Sequence, residues 1–323
     1  MTQDDLDKAL EAIIGQMGRI NLRAHLSNQG VDEVLRRVMA HLADSAKYIS
    51  LFMGMVKRTL SGTENVHSDL QMKLDVFADA LFKRRLEQET AFGIGEFASE
   101  EQDEIVVLKQ NGDRYSVAVD PLDGSSLIDV NLAVGTIIGI HAGPILNGKP
   151  GRETLVAAMC FVYGPLTTLL YTARNGVYEF VLDQVGNFVL SQEVKMEPQG
   201  TLFSPGGLKK DWLPPHTAFI NSLETAGYKL RYSGGLVPDF NQIILKKGGI
   251  FSYPALKNAP AGKLRLLFEA QPLALLAEQA GGLATNGIHN ILDLIAKDLT
   301  DRTPLYIGSQ KEIESAKAFH AAG

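Results

Sequence analysis

A chain of 323 residues with 45% hydrophobic and 21% charged side chains can bury a sizeable core, as one large domain or two packed ones. Its formal net charge of −6 argues against a protein that lives on nucleic acid or on an anionic membrane surface, and no long uncharged apolar window suggests a membrane helix. A single cysteine, Cys160, in an apolar run, allows no internal disulfide, and the acidic start Met-Thr-Gln-Asp-Asp lacks a basic-then-apolar leader, so a cytoplasmic setting is expected.

In chain order, Leu6, Leu10, Ile13 and Met17 share one helical face. After the Asn28-Gln29-Gly30 break, Asp32 is a candidate N-cap for a long helix with Leu35, Val38, Leu42, Ala46, Ile49, Met53, Val56 and Leu60 on its apolar side. A polar turn at Ser61 to Val66 precedes a second helix carrying Asp69 and Asp75, with Leu70, Leu74, Phe77 and Leu81 inward. Ile105 to Lys109, Asn111-Gly112 and Tyr115 to Val119 read as a hairpin, because Asn-Gly favours tight primed turns.

Strand signals then follow one another: Val134 to His141, Leu155 to Tyr163, Leu169 to Ala173, Val177 to Leu182 and Phe188 to Leu190. Their spacing predicts a large, mostly antiparallel sheet. Glu197 to Pro215 is rich in proline and glycine, which puts a domain boundary near its start: 1–197 and 198–323. Beyond it come strand Lys229 to Tyr232, helix Val237 to Leu245, strand Ile250 to Tyr253 and helix Pro272 to Ala280. Leu283 to Thr285, a helix at Ile291 to Ala296, strand Leu305 to Ile307 and a helix from Lys311 complete the chain. The alternation predicts a second sheet covered by helices, and an α+β protein as a whole.

The chemistry concentrates at Tyr115 to Ser126. An apolar strand runs into Asp120-Pro121-Leu122-Asp123-Gly124, where proline fixes φ and glycine accepts positive φ. The same five residues are also simply a good turn. Carboxylates at the end of a buried strand, however, call for a partner, and Gly124, Ser125 and Ser126 offer consecutive backbone N–H groups to an anion. An EF-hand is excluded because its alternate oxygen ligands and closing Glu are missing. Joined by Glu100, Glu101, Asp75 and a later acid, the two aspartates suit hard cations such as Mg²⁺ around a phosphate.

The set Asp120-Pro121-Leu122-Asp123-Gly124-Ser125-Ser126, Val134-Gly135-Thr136-Ile137-Ile138-Gly139-Ile140, Ser99-Glu100-Glu101, Lys73-Leu74-Asp75-Val76, Gly249-Ile250-Phe251-Ser252-Tyr253-Pro254 and Gly262 to Glu269 resembles the class I fructose-1,6-bisphosphatases, in the same order. The resemblance implies an α/β/α/β/α layered sandwich and Mg²⁺-dependent hydrolysis of the 1-phosphate of fructose 1,6-bisphosphate. It implies two or three Mg²⁺ per site, with Mn²⁺ as a substitute, held by Glu100, Asp120, the Leu122 carbonyl, Asp123 and Glu269. Asp75 and Glu101, with Asp69 nearby, match the acids that activate water; Asp123, Gly124, Ser125 and Ser126 match the surroundings of the scissile phosphate. Tyr232, Tyr253 and Lys263, flanked by Arg265, match the sugar and second-phosphate pocket, and Arg231 matches an arginine lent by a neighbouring subunit. A homotetramer acting in gluconeogenesis or Calvin-type carbon metabolism follows by the same route, with no nucleic acid or membrane partner.

Two departures stand out. Where the family has Asn-Glu-Gly-Tyr, this chain reads Ser204-Pro205-Gly206-Gly207-Leu208, which with Lys229 to Ile244 is similar to sedoheptulose-1,7-bisphosphatase, while Tyr253 keeps the fructose type. At Leu26 to Val34 there is no Gly-Thr-Gly-Glu turn, although Arg114-Tyr115 match a Lys-Tyr pair of the AMP site, so strong AMP inhibition is not expected. Sedoheptulose 1,7-bisphosphate hydrolysis, an inositol-monophosphatase-like activity and a non-catalytic sugar-phosphate-binding regulator remain the alternatives.

Overall fold

The computed structural model describes residues 19–55, 65–88, 93–108 and 114–322, without the side chains of 54–73. The predicted face Leu6, Leu10, Ile13 and Met17 lies outside these residues, as do Val56 and Leu60. Two short helical turns aside, the N-terminal part comprises α1 (Leu22–Asn28), α2 (Glu33–Met55), α3 (Asn65–Gln88) and strands β1 (Ile94–Ser99), β2 (Val106–Val107), β3 (Tyr115–Asp123), β4 (Val134–Ala142), β5 (Leu155–Tyr163), β6 (Thr167–Thr172), β7 (Val177–Leu182) and β8 (Phe188–Val194). These strands form an eight-stranded sheet in the order β2-β1-β3-β4-β5-β6-β7-β8. Among the described strand pairs of this sheet, only β1 and β3 run parallel.

Asp32 starts α2 as expected: its Oδ1 accepts from the N–H groups of Val34 and Leu35, at 3.1 and 3.2 Å. Leu35, Val38, Leu42, Ala46 and Ile49 are buried along the helix. In α3 the fully buried stripe is Leu74, Ala78, Phe82 and Leu86, whereas Phe77 and Leu81 are only half-buried. The small Ala78 lets the helix rotate toward the sheet and takes the inward place expected of Phe77, whose ring stacks on Phe52 instead.

The expected hairpin is corrected. β2 pairs antiparallel with β1, and β1 lies between β2 and β3. Ile94 to Ser99, with a glycine and a glutamate in six residues, hides its strand character until it is seen filling the gap beside β3.

After Val194 come β9 (Leu202–Pro205), α4 (Pro214–Thr225), β10 (Lys229–Leu230), α5 (Leu236–Leu245), β11 (Gly249–Tyr253), β12 (Leu264–Arg265), α6 (Gln271–Gln279), β13 (Leu283–Thr285), β14 (Arg302–Thr303), β15 (Leu305–Gly308) and α7 (Gln310–Ala322). A five-stranded sheet runs β10-β9-β11-β15-β13, and β12 and β14 make a separate ribbon. The stretch read as a proline-rich boundary contains β9, which pairs with both β10 and β11. The helix expected at Ile291 to Ala296 is a single 3₁₀ turn, Ile291–Asp293, because its apolar residues are drawn individually into the core.

Three apolar clusters mark the layers. One joins α1, α2 and α3 to the outer face of the large sheet, through Val38, Phe82, Val119 and Ile138. A second holds α5 and α6 between the two sheets, through Phe240, Leu276, Ile137 and Phe251. The third packs α4 and α7 on the far face of the small sheet, through Phe219, Ile313 and Tyr306. The order is helices, sheet, helices, sheet, helices, the α/β/α/β/α sandwich implied by the resemblance.

Candidate metal and phosphate site

β3 is buried from Tyr115 to Leu122 and carries its polar chemistry at its last turn. Two residues three apart on a regular strand point to opposite faces. Here Asp120 pairs with Ile137 of β4 but Asp123 pairs with Gly135, so β3 has one residue more than its partner between those points. This β-bulge sends Leu122 to the cluster on the α2 and α3 side, while Asp123 reaches α5 on the other. Asp120 and Asp123 therefore share the inner face.

Each aspartate is held. Asp120 is buried, and its Oδ1 accepts from the Leu122 N–H at 3.1 Å. Asp123 Oδ2 accepts from the Val237 N–H at 2.8 Å, capping α5 from a distant strand. Gly135 permits this approach: a Cβ there would lie 2.4 Å from Val237 Cγ1 and from the Phe161 carbonyl oxygen. Gly124 follows at φ +76° and opens the 3₁₀ turn Ser125–Leu127, with Ser125 half-buried and Ser126 exposed.

Two other segments supply acids. β1 ends beside β3, where the Glu100 N–H donates to the Val119 carbonyl at 3.0 Å. A π-helical turn, Leu266–Ala270, presents Glu269 inward at the start of α6, and the Arg265 N–H donates to its Oε2. Ligand oxygens of Glu100, Asp120 and Glu269 come within 4.8 Å of one another. Asp75, half-buried on α3, hydrogen-bonds the Ser125 hydroxyl, and among the described residues its Oδ1 is buried without a partner.

The electrostatics fit a bound cation. Burial, then Glu100, Asp123 and Glu269, raises Asp120 well above the ordinary carboxylate range. Burial, then Glu100 and Asp123, does the same to Glu269. Asp123 is pushed to about 7, mainly by burial, and Asp75 to about 6 by burial, Glu101 and Glu100. Glu101 reaches solvent but is also raised, by partial burial, Glu100 and Asp79. Among the described residues, the ion pair within the group is Arg265 Nε to Glu100 Oε1, at 3.3 Å. A buried set of carboxylates with so little positive charge is the donor set hard divalent cations take.

The predicted sugar-side residues are placed differently. Tyr232 is 46% exposed and close to Tyr253 and Asp239, both of which raise its phenol after burial does. Tyr253 is half-buried at the end of β11, and Gly206 lies so close to its ring that a Cβ there would sit 2.5 Å from Cδ2. Arg231 and Lys263 are exposed, whereas Arg265 turns toward the acids. Asp69 belongs to α3, with its side chain outside the described residues.

Three contributors were not read from the sequence. Asp79, one turn after Asp75 on α3, accepts from Gln102 Nε2 at 2.8 Å beside Glu101; its i,i+4 spacing was an available signal. Asp239, fully buried in α5, accepts from the Ser233 N–H at 2.9 Å and so holds the segment after Arg231 and Tyr232. Thr136 hydrogen-bonds the turn itself, a contact no sequence pattern announces.

The chain matches the family models described as Fructose-1-6-bisphosphatase, N-terminal domain, over residues 16–193, and Fructose-1-6-bisphosphatase, C-terminal domain, over residues 196–321. It is 46% identical to a class 1 fructose-1,6-bisphosphatase of Trichlorobacter lovleyi over 301 residues, covering 93% of this chain and 94% of that one. Identity is 44% over 313 residues to the Pelobacter propionicus protein of the same name, covering 95% and 96%. Among solved structures it resembles apo Leishmania major fructose-1,6-bisphosphatase, with TM-score 0.84, 30% identity and coverage of 94% and 99%. A Toxoplasma gondii protein assigned as a sedoheptulose-1,7 bisphosphatase gives TM-score 0.84 and 32% identity over the same shares.

Proposed function

This chain belongs to the fructose-1,6-bisphosphatase family, and on that premise we propose that it is a phosphoric monoester hydrolase removing the 1-phosphate of fructose 1,6-bisphosphate to leave fructose 6-phosphate and inorganic phosphate. The observation that carries the reading is the meeting of Glu100, Asp120 and Glu269 from three separate segments, within 4.8 Å, beside Asp123.

Glu100, Asp120, the Leu122 carbonyl, Asp123 and Glu269 would hold two or three Mg²⁺, with Mn²⁺ as substitute. When bound, these cations supply the Lewis acidity that draws charge off the phosphoryl and leaving-group oxygens. Asp75 Oδ1, with its raised affinity for protons and no other partner, orients the attacking water and takes its proton. Glu101 and Asp69 assist it. Gly124, Ser125 and Ser126 grip the phosphate oxygens, while Tyr232, Tyr253, Lys263 and Arg265 orient the sugar and its second phosphate.

The exposure of Arg231 supports a homotetramer in which this guanidinium serves a neighbouring subunit's site. We place the enzyme in the cytoplasm, in gluconeogenesis or Calvin-type metabolism, with domains dividing at 197/198. No described helix is long and apolar enough to cross a membrane. A second reading, hydrolysis of sedoheptulose 1,7-bisphosphate, draws on the Gly206-Gly207-Leu208 segment beside Tyr253, which offers no polar side chain to a sugar. The test is kcat/KM for both bisphosphates and inositol 1-phosphate side by side. Fructose 1,6-bisphosphate is expected to lead or to share first place with sedoheptulose 1,7-bisphosphate, and a preference for inositol 1-phosphate overturns the proposal.

A further inference from the structure

The bulge that brings Asp120 and Asp123 to one face has a cost in unsatisfied backbone. Pro121 has no N–H to give, and its carbonyl leaves the regular ladder where the register slips between Asp120 and Asp123. Thr136 stands opposite the two bulged residues on β4, fully buried, and its Oγ1 donates to the Pro121 carbonyl at 2.7 Å. The same oxygen lies 2.9 Å from the buried hydroxyl of Tyr163 on β5.

The proton directions are forced. A threonine hydroxyl has one proton, and the carbonyl can only accept, so Tyr163 donates to Thr136 and Thr136 donates to Pro121. At the other end of that peptide unit, the Leu122 N–H donates to Asp120 Oδ1. Both polar groups of the Pro121–Leu122 peptide are thus occupied, one by the hydroxyl chain and one by a carboxylate of the acid group. Strand alternation puts Thr136 on the face opposite Ile137, with Tyr163 in the cluster under α2 and α3, so neither hydroxyl faces the acids.

We propose that the Tyr163–Thr136 hydroxyl pair positions the metal-binding turn, fixing the tilt of the Pro121–Leu122 peptide and with it the aim of the Asp120 carboxylate. Both are positioning residues. The peptide is pinned at both ends, by the Thr136 hydroxyl at its carbonyl and by Asp120 Oδ1 at its N–H, so the carboxylate is aimed before any cation arrives. Groups of this kind, one shell out from a metal, typically change its affinity about 10–100-fold when removed. The proposal rests on the metal assignment made above, and its test separates the two.

Thr136→Val keeps the shape and removes the hydroxyl, Thr136→Ser restores the hydroxyl alone, and Tyr163→Phe removes only the outer donor. Mn²⁺ binding to the substrate-free protein, followed by calorimetry, should weaken about 10-fold or more in Thr136→Val. It should return to within about 2-fold of the parent in Thr136→Ser and fall between them in Tyr163→Phe. In the metal-free protein, hydrogen exchange of the peptide spanning Leu122 should quicken in Thr136→Val and not in Thr136→Ser. A Thr136→Val protein that melts lower yet binds Mn²⁺ within 2-fold of the parent overturns the proposal, as does a Thr136→Ser variant no better than the valine. A parent that takes up no Mn²⁺ overturns the metal assignment instead, and the exchange of Leu122 then decides the hydroxyl chain by itself: unchanged exchange in Thr136→Val refutes it.

Discussion

The two ends of the candidate site are built by opposite rules. At the acid end, Asp120, Asp123 and Glu269 each accept a backbone N–H, two of the three side chains are buried, and the group sits between the two sheets. At the proposed sugar end, the side chains of Arg231, Tyr232 and Lys263 are exposed, although the backbone beneath them is held by the Arg231 N–H on the Phe203 carbonyl at 2.9 Å and by Asp239 on the Ser233 N–H. Bond-breaking chemistry depends on preorganised charge, so its groups are locked before substrate arrives. Recognition of a flexible sugar phosphate tolerates side chains that settle on binding, at an entropic cost to affinity.

The largest test of this contrast is Glu269→Gln or Asp120→Asn. Turnover should fall by about 10²–10³-fold, the usual loss when one preorganised electrostatic group is removed. Thermal melting of the metal-free protein should hold or rise, because each change removes a buried charge opposed by its neighbours. A variant with unchanged turnover would break the assignment of the acid end. Lys263→Ala or Arg231→Ala should act the other way round, raising KM about 10-fold with kcat little altered, as expected when a charge-assisted contact to bound substrate is lost. If kcat collapses and KM stays, the sugar end is not the looser one.

Chelation and pH sharpen the comparison. Asp75 and Asp123 are raised to about 6 and about 7, so between their unfolded values near 3.8 and these values the folded chain holds more protons than the unfolded one. Stability of the chelated protein is therefore greatest at the acid side of this window and is lost as pH rises through 6 to 7. Added Mg²⁺ should raise the melting temperature more at pH 8 than at pH 5. An equal effect at both would show that these carboxylates do not hold the cation.

The smallest effect belongs to two buried histidines away from the acids. Burial lowers His216 to about 3 and His141 to about 4, from an ordinary 6.5. Here the unfolded chain binds the extra protons, so their contribution is full above about pH 6.5 and declines as pH falls, through about 4 for His141 and about 3 for His216. His216→Phe should flatten the acid limb of a melting-temperature profile, and an unaltered limb would show that this histidine plays no part in it.

Much of the fold was legible where the pattern was strong and local. β5 and β7 run over the residues expected, Leu155 to Tyr163 and Val177 to Leu182, because short apolar runs bounded by turn signals leave little ambiguity. Asp32 was recognisable as a cap for the same reason. β9 was hidden in a proline- and glycine-rich stretch, since its stability comes from two neighbouring strands and not from its own composition. α4 was passed over although Pro214 and Pro215 at its first positions are a start signal.

By itself, the sequence determined the acid types, the turn at Asp120 to Gly124 and the family resemblance, because these are properties of residues and their order. Only tertiary structure decided that Asp120 and Asp123, three apart on a strand, face the same way. That outcome requires a bulge, and at the bulge Gly135 leaves room for α5 and Thr136 meets the Pro121 carbonyl. Such contacts join residues with no fixed separation along the chain, so no local pattern encodes them.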